Sequence, residues 1–283
     1  MIKKLIIVIS CLISALSHAQ TFTFTAIPDE DESRLVARFS KVASYLEKEL
    51  NVEVRYIPVK SYAAAVTAFR NNQVQLAWFG GLSGVQARLQ VPGSQALAQG
   101  FEDQLFKSYF IAHHSAGLKK SQEFPNGIQG KTFTFGSKGS TSGRLMPEYY
   151  IRENFKKSPD DVFKRVGFSG DHSMTIAQVQ AGAYQVGVVN YLVWETELAA
   201  GKIDESKVSV IWETPQYPDY QWTIRGDADK QFGADFTKKV QQALLSMSAP
   251  ELLASFPRKS FIPATNADYQ AIEDTAKTLQ IIR

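Results

Sequence analysis

Two hydroxyl-rich turns are the residues best suited to chemistry. In Gly136-Ser137-Lys138-Gly139-Ser140-Thr141-Ser142-Gly143, three consecutive hydroxyls stand between glycines, where a strand-like run ending at Phe135 gives way to a helical pattern. The opening N–H groups of a helix have no acceptor within it, and its dipole places about half a positive charge there. Such a turn holds an anion without Lys or Arg. The same residues would also serve as a plain N-cap beside a flexible loop. In Phe168-Ser169-Gly170-Asp171-His172-Ser173, His172 opens the next helix. The dipole lowers an imidazole pKa there, so a neutral ring donates one hydrogen bond to an oxyanion and a charged ring adds an ion pair. A surface or capping histidine is the plainer reading.

The first part of the chain has matching turns at Lys60-Ser61-Tyr62 and Trp78-Phe79-Gly80-Gly81-Leu82-Ser83. All four turns leave the ends of predicted strands, where parallel sheets place their ligands. Among the aromatic residues, Tyr62, Tyr109 and Tyr220 suit a pocket because each has a polar tip. Phe79 is grouped with them as the last residue of its strand. Trp78 suits a core, and Trp222 suits either place. Asp29-Glu30-Asp31-Glu32 would repel an anion at close range. It reads as a solvated cluster at a helix start, and it is the feature this reading explains least.

Other chemistries fit less well. Gly139-Ser140-Thr141-Ser142-Gly143 has the spacing of a hydrolase elbow, and an exported hydrolase using Thr141 or Ser142 with His172 is the alternative function. Its central residue is Thr, however, and Asp171 adjoins His172 in the chain, whereas a triad draws its acid and its base from separate loops. Gly130-Lys131-Thr132 ends like a phosphate loop, but Pro125 stands where the leading glycine belongs. His113 and His114 are adjacent on a predicted strand and point to opposite faces, so with His172 they do not form a metal site. No metal and no cofactor is expected.

The elements that would position these turns alternate. A strand over 22–27 precedes a helix over 33–50, with Leu35, Phe39, Val42, Leu46 and Leu50 on one face. A strand at 52–56, a helix over 61–71 and a strand over 74–79 follow. The pattern restarts with strands at 132–135, 163–168, 185–190 and 207–213, and helices from 141 or 142 to 156, over 172–183 and over 191–200. Strand alternating with helix indicates parallel sheets with crossover helices. Placing Lys60-Ser61-Tyr62 over His172-Ser173-Met174 also matches Ala65 with Ala177 and Gln73-Val74 with Gln185-Val186. That offset of 112 suggests two similar α/β lobes, or else two unrelated units that resemble each other by chance.

Lys3 and Lys4 precede an apolar run to Leu16, and Ser17-His18-Ala19 supplies small residues at the cleavage positions, so residues 1–19 read as a signal peptide cut after Ala19. Its removal takes with it Cys11, the single cysteine, and leaves 29 basic against 28 acidic residues, which gives no electrostatic footprint for nucleic acid. The expected product is exported from the cytoplasm, and the family resemblance carried by the motifs below implies a periplasmic monomer.

Val59-Lys60-Ser61-Tyr62-Ala63-Ala64, Gln75-Leu76-Ala77-Trp78-Phe79-Gly80, Ser140-Thr141-Ser142-Gly143 with Pro147, and Phe168-Ser169-Gly170 with His172 resemble the phosphonate- and phosphite-binding periplasmic proteins of ABC importers, over most of the chain. The likeness is strongest to a branch described as selenate-type. The resemblance implies a type II periplasmic-binding fold of class α/β: lobe 1 from 20–112 plus 223–283, lobe 2 from 113–222, and two hinge crossings. It also implies a non-enzymatic role, closure on a tetrahedral oxyanion, and delivery to an inner-membrane ABC permease. The contacts it implies are Ser140, Thr141, Ser142, His172, Tyr62 and Tyr109. Relatives that take an aminoalkyl phosphonate place an acid near the return crossing. A gapless placement puts Tyr220 there, with Asp219 one step away.

Overall fold

A computed structural model describes residues 20–253 and 256–283. The signal-peptide expectation for 1–19 lies outside the described residues. Among the described residues, eleven strands form two sheets. The first contains β1 (Phe22–Ala26), β2 (Val54–Tyr56), β3 (Leu76–Phe79), β4 (Gln95–Gly100), β10 (Gln221–Ile224) and β11 (Phe261–Pro263), in the order β11-β4-β10-β3-β1-β2. The second contains β5 (Ser108–His113), β6 (Thr132–Phe135), β7 (Arg165–Phe168), β8 (Val186–Asn190) and β9 (Val208–Glu213), in the order β7-β6-β8-β5-β9. Helices α1 (Glu32–Leu50), α2 (Tyr62–Arg70) and α3 (Gly81–Gln90) connect strands of the first sheet. Helices α4 (Met146–Phe155), α5 (Pro159–Val162), α6 (His172–Gln180) and α7 (Tyr191–Ala199) do so in the second. Four more helices, α8 (Ala228–Phe232), α9 (Phe236–Leu245), α10 (Pro250–Leu253) and α11 (Gln270–Thr278), return to the first lobe.

Each lobe repeats one plan. Strands β1, β2 and β3 pair in parallel, as β6, β7 and β8 do, and the next strand in each sheet is antiparallel: β10 beside β3, and β5 beside β8. These antiparallel strands correct two expected lobe boundaries. Ser108–His113 belongs to the second sheet and Gln221–Ile224 to the first, so the crossings fall before β5 and before β10 rather than after residues 112 and 222. In both lobes this strand is the one that has just arrived from the other lobe. The crossings are tied to each other by paired bonds between the backbones of Phe106 and Tyr217 and by the Asp219 amide on the Asp103 carbonyl at 2.9 Å.

The repeat register is also corrected. Equivalent elements begin at Phe22 and Thr132, Tyr62 and His172, and Gly81 and Tyr191, a spacing of 110 rather than 112. Ser61 caps α2 by accepting from the Ala64 amide, and its counterpart Asp171 caps α6 by accepting from the Met174 amide. The cap is the equivalent feature, and Ser173 lies beyond it, inside the helix.

Helix α1 buries the five expected apolar residues. Trp78 and Trp222 both lie in the core of the first lobe, with centroids 5.3 Å apart, and Phe24, Phe39 and Phe256 pack around Trp222. The helix expected to start at residue 141 or 142 divides in two. Thr141–Leu145 is a widened turn of π type and α4 follows it. Pro147 has no N–H for the Gly143 carbonyl four residues back, and that oxygen accepts from the Gly136 amide instead, at 2.8 Å.

Candidate functional site

The four predicted turns meet. The starts of α2 and α3 from the first lobe face the Thr141–Leu145 turn and the start of α6 from the second, at the strand ends where a parallel sheet leaves its helix N-termini. The lobes are closed on one another. The His172 amide donates to the Asp29 carbonyl at 3.0 Å, the Leu82 amide to Thr141 Oγ1 at 2.9 Å, and Asn190 Nδ2 to the Tyr220 hydroxyl at 2.9 Å. A groove of about 600 Å³ outside this seal is lined by residues of both lobes, including Asp31, Lys60, Ser137, Asp171 and Met174.

Behind the seal lie buried polar atoms without a hydrogen-bond partner: Tyr62 Oη, Ser142 Oγ, His172 Nε2, Asp219 Oδ2 and Asp29 Oδ1. A buried polar group left unpaired costs about 1–3 kcal/mol, so this set, drawn from both lobes, makes the seam between them the candidate binding site. Three of the five residues are sequence-predicted ones.

His172 is fully buried, and burial lowers its pKa to about 3. Its Nδ1 accepts from the Asn190 amide at 3.2 Å, which puts the single proton of the neutral ring on Nε2. Nε2 is therefore a fixed, uncharged donor with no acceptor in the protein. This removes the hydrolase reading: such a nitrogen cannot take a proton from Thr141 or Ser142, and Asp171 caps α6 instead of orienting the ring.

Asp219 settles which residue of the return crossing faces the site. Its Oδ1 accepts from the Gly81 amide at 2.9 Å, its Oδ2 has no close partner, and burial, opposed by the Gly81 amide and the Thr141 and Ser142 hydroxyls, raises its pKa to about 7. Tyr220, fully buried, stacks on Trp78 with centroids 5.5 Å apart, and its hydroxyl is occupied by Asn190. Gly80 permits this approach, since a Cβ there would lie 3.0 Å from Asp219 Oδ1 and 3.3 Å from Thr141 Oγ1.

The hydroxyl triplet divides its labour. Ser140 Oγ caps the turn by accepting from the Gly143 amide at 2.8 Å, Thr141 bridges the lobes through Leu82, and Ser142 leaves its hydroxyl free. Tyr62 is fully buried, its pKa raised well above the usual value chiefly by burial and then by Asp29. Two expected contacts are not brought here. Tyr109 donates to Glu195 at 3.0 Å on a partly exposed flank, because alternation along β5 turns the neighbouring Ser108 toward the Ser142 carbonyl and Tyr109 away. The Phe79 ring packs on Phe69 in the core at 5.6 Å. Sequence reasoning missed Asn190, which holds both His172 and Tyr220. Its position at a strand end before a helix was the available signal.

Comparison with known proteins fits this geometry. Residues 24–269 match the family model for the ABC transporter, phosphonate, periplasmic substrate-binding protein. The chain belongs to that family. It is 40% identical over 274 residues to the probable ABC transporter phosphite binding protein PhnD1 of Prochlorococcus marinus, covering 94% of this chain and 92% of that one. A crystal structure of PhnD1 from Prochlorococcus marinus in complex with methylphosphonate superimposes with a TM-score of 0.88, at 40% identity, over 93% of this chain and 99% of that one. A binding protein component of an ABC phosphonate transporter from Pseudomonas aeruginosa shares the fold, with a TM-score of 0.79 at 20% identity, over 92% and 86% of the two chains. The family member described here is a periplasmic substrate-binding component of an ABC importer, a small-ligand binder that serves a permease and not an enzyme.

Proposed function

We infer that this protein captures phosphite or a small alkylphosphonate as a tetrahedral oxyanion between its lobes. The observation that carries the reading is the fixed Nε2–H of His172, buried and without an acceptor. Around it, the Tyr62 and Ser142 hydroxyls, the Asp219 carboxyl and the opening amides of the Thr141–Leu145 turn supply further hydrogen bonds. Ser140 and Thr141 hold the turn and the closed lobes in place around them. Three to five hydrogen bonds to a charged group, at about 1.5–3 kcal/mol each, contribute about 4.5–15 kcal/mol, and the upper part of that range covers the roughly 8 kcal/mol of micromolar affinity with a margin for closure.

The site set contains no Lys or Arg, and it contains an acid, Asp219. A fully deprotonated dianion would face buried acid without a compensating cation in this set, whereas a singly protonated oxyanion has a hydrogen to share with a buried carboxyl. This favours phosphite and methylphosphonate over selenate or sulfate, in keeping with what the PhnD1 relative is described as binding. Asp219, and not Tyr220, is the acid at the return crossing, so a ligand amine has a place beside it. We further infer export with cleavage after Ala19, from the signal pattern of residues 1–19.

A thermal-shift screen against phosphite, methylphosphonate, phosphate, sulfate and selenate tests the assignment. A ligand at 100 times its Kd stabilises by about 2.7 kcal/mol. Phosphite and methylphosphonate should raise the melting temperature while sulfate and selenate do not. Silence with the first two would refute the assignment.

A further inference from the structure

The acidic run after β1 reads in the sequence as a solvated cluster at a helix start; the structure corrects this by burying Asp29 and Glu30, and it accounts for three of the four members. Glu30 is buried and engaged by Arg34 and Arg38. Asp31 caps α1, accepting from the Ser33 and Arg34 amides. Glu32 pairs with Lys60 at 2.6 Å. Asp29 is left over. It is only 4% exposed, and its Oδ1 is buried without a hydrogen-bond partner.

Its position is at the site and not on the surface. The Asp29 carbonyl receives the His172 amide, so the residue lies directly against the helix start that presents the free Nε2. Its charge raises the pKa of Tyr62 and of Tyr220, second only to burial in each case, and reaches Asp171 as well. Asp29 comes from the segment between β1 and α1 in the first lobe, whereas Asp219 comes from the return crossing. The guest therefore meets an acid from each of two separate segments. An ionised carboxyl only accepts hydrogen bonds. The Tyr220 hydroxyl acts on the Asp29 carboxyl and the Thr141 and Ser142 hydroxyls act on that of Asp219, and the Asp29 Oδ1 without a partner can take a hydrogen from a protonated ligand oxygen.

We propose that Asp29 is a specificity-determining residue, whose free carboxyl oxygen accepts a hydrogen bond from the proton-bearing oxygen of the bound oxyanion and so rejects anions that carry no proton. This inference rests on the oxyanion-binding reading above. In it, His172, Tyr62 and Ser142 donate to the unprotonated oxygens, and Asp29 reads the one that bears hydrogen.

The test is calorimetric titration of phosphite and of sulfate at pH 7 into the wild type and Asp29→Asn, with Asp29→Ser as a second variant should the first fail to fold. Circular dichroism provides the check on folding. Neither substitution removes the backbone bond to His172. The wild type should prefer phosphite over sulfate by at least 100-fold, and each folded variant should narrow that preference at least tenfold. A variant that weakens both anions equally, or that changes neither Kd, overturns the role of Asp29. Failure of the wild type to bind phosphite or methylphosphonate would instead refute the oxyanion reading itself.

Discussion

Tyr62 and His172 occupy the same place in the two halves of the chain: each is the first residue of a helix that follows a strand, each is fully buried, and each ends in a polar atom without a partner. The duplicated α/β plan has brought two equivalent helix starts face to face and given one a phenol and the other an imidazole. Both donors are uncharged. Together they let the closed cleft hold an anion by directed hydrogen bonds and helix-end dipoles, without burying a cation beside it.

Replacing His172 by Ala should leave the fold intact and weaken phosphite or methylphosphonate binding by about 10- to 150-fold, the equivalent of one hydrogen bond to a charged group at about 1.5–3 kcal/mol. Isothermal titration reads this directly. An unchanged Kd would remove the imidazole from the site.

His172 and Asp219 should also shape the acid stability of the ligand-free protein, in opposite directions. The His172 pKa is lowered to about 3, so its contribution is present above its unfolded value and is lost as pH falls toward 3. The Asp219 pKa is raised to about 7, so its contribution is present at low pH and is lost as pH rises toward 7. Between about pH 4 and 6.5 the two slopes cancel. Relative to the wild type, Asp219→Asn should gain stability with rising pH and His172→Gln should lose it, each by on the order of 1.4 kcal/mol per pH unit. Urea unfolding at three pH values within that window checks the signs, and parallel curves for all three proteins would contradict the buried titrations.

How much of this could be read in the sequence depended on whether the signal was local. The hydroxyl triplet, His172 and Tyr62 stand at helix starts, where cap chemistry and periodicity agree, and the structure unites them. Strands β5 and β10 each join a sheet whose other strands lie far along the chain, and nothing in their own alternation records which lobe they enter. The boundaries were misplaced for that reason. Tyr109 and Phe79 differ in facing: a polar tip suggests a pocket for Tyr109 and a strand end for Phe79, whereas strand alternation and the packing of α2 determine where the rings go. Asn190 acts through hydrogen bonds to residues 18 and 30 positions away, which no local pattern marks.

Gly80→Ala offers a test of closure in which no site side chain is itself replaced. The new Cβ would press on Asp219 Oδ1 and Thr141 Oγ1, the groups that receive the amides of Gly81 and Leu82. Affinity for phosphite should fall at least tenfold with little change in melting temperature, and small-angle scattering with saturating ligand should show a more open envelope. Wild-type affinity would mean that this contact between the lobes does not govern closure.

The most direct measurement is calorimetric titration of methylphosphonate into the purified protein, repeated with the double variant Tyr62→Phe, His172→Ala. Those two uncharged donors, one from each lobe, are the groups on which capture is argued to depend. The wild type should bind one equivalent with a Kd of about micromolar or below, and the double variant should bind at least 100-fold more weakly while remaining folded. Equal binding by both proteins would contradict the account.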